Sequence, residues 1–101
     1  LNVGGERMTV KRSTMLLAPE ESALHAMFSG RWDGSFDRDV DGRIFLDFPP
    51  AVFRLVVDYL RTLRIAPPGH SVNLPECPAG TDRHTFRVML DFLGLRAPPH
   101  V

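Results

Sequence analysis

Cysteine is nearly missing from this sequence: Cys77 stands alone. No internal disulfide is possible, which points to a reducing, cytoplasmic setting. Net charge is missing too, since twelve basic and twelve acidic residues cancel. No overall field draws the chain to nucleic acid or to an anionic membrane surface. No apolar run is long enough to cross a bilayer, and no signal peptide is present. Lysine is reduced to Lys11, so eleven of the twelve basic residues are arginine, the side chain suited to planar, bidentate pairing. Repeats and low-complexity stretches are absent as well.

What remains is a chain of 101 residues with 44% hydrophobic and 24% charged content, the balance of one globular domain with a modest core. It opens at Leu1, already in strand-like sequence, and is read as one domain over 1–101, excised from something longer. Leu1-Val3 and Met8-Val10 alternate apolar and polar residues on either side of Gly4-Gly5, which predicts a hairpin. "SALHAMFSG" predicts a helix with Leu24, Met27 and Phe28 inward, Ser22 as its cap and Gly30 as its stop. His25 falls off that apolar face, toward solvent.

Asp41-Gly42 signals a second tight turn, followed by Ile44, Leu46 and Phe48 on one strand face. Pro50 then opens a helix whose apolar residues run nearly all the way round. Only Arg54, Asp58 and Arg61 interrupt them, as a polar stripe that needs water or a partner. Val72 and Leu74 are expected in a short extended piece. The last helix follows Thr81 or Asp82, faces Phe86, Met89, Leu90 and Leu93 inward and ends at Gly94. Strands first and helices after imply a mixed α+β fold with a small sheet.

Chemical sites are poorly supported. Asp37, Asp39 and Asp41, with Gly42 and Ile44, match the start of a calcium loop, but its last position is Phe48 where a bidentate glutamate is required. A solvated acidic turn is the better reading. Cys77 with His70 or His84 does not make a zinc set. "NVGGER" lacks phosphate-loop spacing, and Ser29 lacks a nucleophile elbow. Phe45, Phe53, Phe86 and Phe92 fall at core spacing, which favours packing over base stacking. No cofactor, no metal and no catalytic residue are expected. Trp32, in a polar glycine-bearing loop, is either an exposed binding anchor or a cover for the sheet edge.

In order, "LNVGGERMTV", "STM" with Pro19 after it, "LHAMFSGR", "DGRIFLDF", "VFRLVVDYLRT" and "LDFLGL" resemble the BTB/POZ fold, in its potassium-channel-tetramerisation branch. "MFSGR" resembles the soluble tetramerisation-domain (KCTD) proteins more than the voltage-gated channels. The resemblance covers essentially the whole chain. It implies a small sheet flanked by helices, and a non-enzymatic module that self-associates into a homo-oligomeric ring of four or five chains. It also implies, as an alternative, an adaptor that docks a cullin ubiquitin ligase or another protein, as a ring or as a monomer. Motif correspondence assigns Asn2, Arg31, Asp41, Asp47 and Arg61 to the ring interface, and Trp32 is assigned to partner binding.

Some positions depart from the family pattern. Leu46-Asp47-Phe48-Pro49-Pro50 stands where the family reads Ile-Asp-Arg-Asp-Pro, so a charged pair is missing. Met8-Thr9-Val10 replaces Phe-x-Thr. Leu63 replaces the glycine that ends the long helix, which is therefore expected to run on. The zinc cluster of some channel members is absent, so the implied ring forms without metal.

Overall fold

A computed structural model describes residues 1–32 and 34–95, so the end of the domain expected over 1–101 lies outside the described residues. Two short strands, β1 (Asn2–Val3) and β2 (Glu6–Arg7), pair antiparallel across Gly4 and Gly5. Gly4 turns at φ +55°, and a Cβ there would lie 2.6 Å from the Phe48 carbonyl oxygen, so this corner tolerates only glycine. β3 (Phe45–Leu46) adds parallel to β1, giving a three-stranded sheet of order β2-β1-β3. The turn before β3 closes through the Arg38–Ile44 bridge.

Helix α1 (Arg12–Met15) is a single turn that buries Thr14 and Met15. Helix α2 (Ala23–Phe28) starts where the Ser22 hydroxyl accepts the His25 N–H, as its sequence anticipated. Helix α3 (Pro50–Ile65) is the centre of the molecule, with Val52, Phe53, Val56, Val57 and Leu60 buried. It continues past Leu63 to Ile65, which agrees with the missing glycine stop. Helix α4 (Arg83–Leu93) is capped by Asp82, which accepts from the Thr85 N–H, and ends at left-handed Gly94.

One continuous core joins β1, all four helices and Leu95, with Phe48 edge-on to Phe53 at 5.8 Å. Among the described residues no helix is long and apolar enough to cross a membrane.

Three expectations need correction. Val72 and Leu74 lie in irregular backbone, outside the three-stranded sheet, and among the described residues no strand pairs with them. Phe92 is 62% exposed rather than in the core: Phe86, Leu90 and Leu93 already fill the inward stripe of α4, leaving Phe92 on its outer side. His25 is half-buried rather than solvated. Its Nδ1 lies 3.1 Å from both the Leu16 and Ala18 carbonyl oxygens. Carbonyls only accept, so Nδ1 carries the hydrogen and ties α2 to the turn after α1.

Candidate functional site: a strip of paired charges

Along β2, the acidic turn and α3 runs a strip of alternating charge. Arg54 on α3 binds Glu6 on β2 at 2.5 Å. Arg7 lies 3.6 Å from Asp41, which also takes Arg43 at 2.9 Å. Arg61 donates to the Thr9 carbonyl at 2.6 Å and lies 3.6 Å from Asp58, one turn away on the same helix. Arg7, Thr9, Arg54, Asp58 and Arg61 line one shallow hollow, floored by Met8 and Val57. Every carboxylate and guanidinium in these pairs keeps a third or more of its side chain in water.

The acidic turn is a piece of architecture. Asp39 Oδ1 accepts the backbone N–H groups of Asp41 and Arg43, and its Oδ2 accepts from the Asn2 amide, each at 2.9 Å. These bonds hold its carboxyl below the ordinary value of 3.8, the Asn2 amide contributing most, followed by the Arg43 N–H. Asp39 thus pins the turn to β1, and its oxygens are committed within the fold. Among the described residues no group of three His, Cys, Asp or Glu side chains gathers as metal ligands. Cys77 packs against the core and its thiol donates to the Thr81 carbonyl at 3.1 Å, while His70 and His84 are exposed.

Of the five residues assigned to an interface, three fall on this side of the molecule. Asn2 anchors the turn, Asp41 sits within the strip and Arg61 lines its hollow. Asp47 follows β3, at the opposite edge of the sheet, and borders an apolar depression with Met27, Phe48 and Phe92. Arg31 is exposed in the turn after α2, and Trp32 beside it is 44% exposed. Sequence reasoning missed Glu6, Arg7 and Arg43 as members of the strip. Period-two alternation placed Arg7 on the polar face of a strand, but the partners of Glu6 and Arg7 come from α3 and from the turn, which no local pattern reveals, while Arg43 pairs with Asp41 two residues before it.

A model of the BTB/POZ domain matches residues 1–74, which include the strip and most of the core. Human "BTB/POZ domain-containing protein KCTD3" is 39% identical over 74 residues, 73% of this chain and 9% of that protein. "SH3KBP1-binding protein 1" of Bos taurus is 39% identical over 69 residues, 68% of this chain and 9% of that protein. Human "BTB/POZ domain-containing protein KCTD14" is 45% identical over 62 residues, 61% of this chain and 23% of that protein. The chain therefore spans less than a quarter of each of these relatives.

Proposed function

This chain belongs to the BTB/POZ family, and on that premise we propose that it joins copies of its parent protein into a closed ring of four or five. Domains of this family are generally protein–protein interaction modules and generally not enzymes. The observation that supports self-association here is the strip of alternating charge. Exposed ion pairs of this kind add only about 0–1 kcal/mol each to the stability of a fold. Across a contact the same groups set register and partner choice.

A ring needs two different patches on each copy, meeting head to tail. The Glu6–Arg54 end of the strip, at the β2 edge, and Asp47 beyond β3 offer such a pair on opposite edges of one sheet. Arg61→Glu and Asp47→Arg should each lower the native mass to that of a single chain, while leaving the helical circular dichroism unchanged. Both side chains are exposed, so neither change disturbs the core. An unchanged oligomer in both variants would remove the assignment of Arg61 and Asp47.

The exposure of Trp32 favours a second reading, an adaptor that docks a cullin or another protein. Trp32 keeps 44% of its surface in water, apolar area that a partner can desolvate. Trp32→Ala should cost a cullin complex about 2 kcal/mol or more, measured by calorimetry with a purified cullin fragment. Equal affinity for both proteins would exclude Trp32 as the anchor.

A further inference from the structure

Next to the strip lies a hollow of a different character. It is an open hollow of about 540 Å³, lined by Thr9, Val10, Lys11, Thr14, Arg61 and Arg64. Three of these six residues are cationic and none is acidic. The domain as a whole is neutral, so this is a local concentration of one sign.

Arg64 is held by neutral partners, and Arg61 by a backbone carbonyl together with Asp58. Arg64 Nη1 donates to the Ser13 and Thr14 hydroxyls, each at 3.0 Å. Thr14 is buried, so this anchor is fixed by the core and not by a mobile surface group. Arg61 spends one N–H on the Thr9 carbonyl. A hydroxyl or a carbonyl orients an arginine without neutralising it, and each fork has five N–H donors, most of them left over. The carboxylate nearest these cations among the described ion pairs is Asp58, 3.6 Å from Arg61. Immobilising two arginine side chains in advance removes much of the entropy cost that weakens surface ion pairs.

We propose that this hollow is a docking site for an acidic peptide segment, in which glutamate or aspartate side chains of another protein pair with Arg64, Lys11 and Arg61. The planar fork of Arg64 matches a carboxylate in bidentate geometry, and Lys11 adds a point charge at the rim. Val10 and the methyl groups of Thr9 and Thr14 supply the apolar lining that a peptide stem can cover. Arg61 and Thr9 are shared with the strip's hollow, whereas Lys11 and Arg64 lie outside the strip, so the variants of those two test this site apart from the ring reading.

The test is a fluorescence-anisotropy titration of the domain with a labelled peptide of alternating glutamate and serine. The same peptide with glutamine for glutamate, and one with phosphoserine for glutamate, serve as comparisons. Native mass is followed on the same samples. Expected is saturable binding of the glutamate peptide that weakens as salt rises from about 0.05 to about 0.3 M. The glutamine peptide should not bind, and Lys11→Gln and Arg64→Gln should each weaken binding about three- to tenfold. Arg64→Gln gives up the bonds to Ser13 and Thr14, since its shorter amide ends two bonds before Nη1, so a thermal melt within a few degrees of the parent is required to show that the fold is intact. Equal binding by the parent and both variants, binding of the phosphoserine peptide alone, or no binding by any assembled or dissociated form of the domain would each overturn the proposal. Binding by the dissociated form alone, with the assembled form excluding the peptide, would place a second copy in the hollow and would overturn the proposal as well. Loss of the ring with peptide binding retained would instead count against the ring alone.

Discussion

Replacing Gly94 by alanine should cost the domain roughly 3–5 kcal/mol, through three effects that act at one point. Gly94 closes α4 at φ +81°, a conformation that costs an alanine about 1 kcal/mol. The added Cβ would stand 2.3 Å from the Ser22 Cβ and 2.8 Å from the Ser22 Cα. The second contact is with backbone, so no rotamer change relieves it. Overpacking of this kind costs about 1–3 kcal/mol. Ser22 is also buried, and its hydroxyl caps α2 by accepting the His25 N–H at 3.0 Å. Displacing it endangers a cap with a typical contribution of about 1 kcal/mol.

Gly69 provides the internal control. Its φ is +87°, but nothing lies within 4 Å of the place a Cβ would occupy, so Gly69→Ala should cost only about 1 kcal/mol. Thermal melts at one protein concentration should separate the two variants by more than about 10 °C, given about 4–8 °C per kcal/mol for a domain of this size. Similar melting temperatures would mean that the end of α4 and the start of α2 do not approach each other this closely.

Phe53→Ala should be the second severe change, at about 3–5 kcal/mol. Phe53 is 1% exposed, sits on the inward face of α3 and meets the edge of Phe48. Removing the ring leaves a cavity between α3 and the end of β3 that neighbouring side chains cannot fill without leaving their own contacts. Phe92→Ala is the matching control, since its ring is 62% exposed at the edge of the depression that Phe53 also lines, and its loss should cost about 1 kcal/mol or less. Chemical denaturation of the pair measures the difference. Equal costs would place both rings in one environment and contradict the packing of α4.

The positions of these residues show what local sequence carries. Ser22, Pro50, Asp82 and Gly94 were legible as helix ends because capping depends on residues within one turn of chain. The hairpin at Gly4-Gly5 and the turn at Asp41-Gly42 were legible for the same reason. That Gly94 also has to leave room for Ser22 was not legible, since most of the chain lies between them. The parallel pairing of β1 with β3 is likewise long-range, as is the reach of Asn2 to Asp39. Helix α1 is invisible in the sequence because its four residues show no periodicity. Phe92 and His25 fall outside their expected places because helical spacing defines a stripe but not its width, and each lies near the border.

The charged strip was legible only in half. Arg54, Asp58 and Arg61 declare themselves by spacing on a helix that is otherwise apolar. Glu6, which pairs with Arg54, and the Arg7–Asp41 pair beside it come from two other segments. The resemblance to a known family supplies Asp41 but not the pairing. The hollow beside the strip was not legible at all, since Lys11, Thr14 and Arg64 share no local pattern and meet only where α1 lies against the end of α3.

Native mass by light scattering, followed across dilution and in the presence of a chelator, tests the assembly role most directly. A mass of four or five chains that persists on dilution and ignores the chelator is the predicted result. A single chain at every concentration would contradict it, and would leave the domain's partners to be found among other proteins.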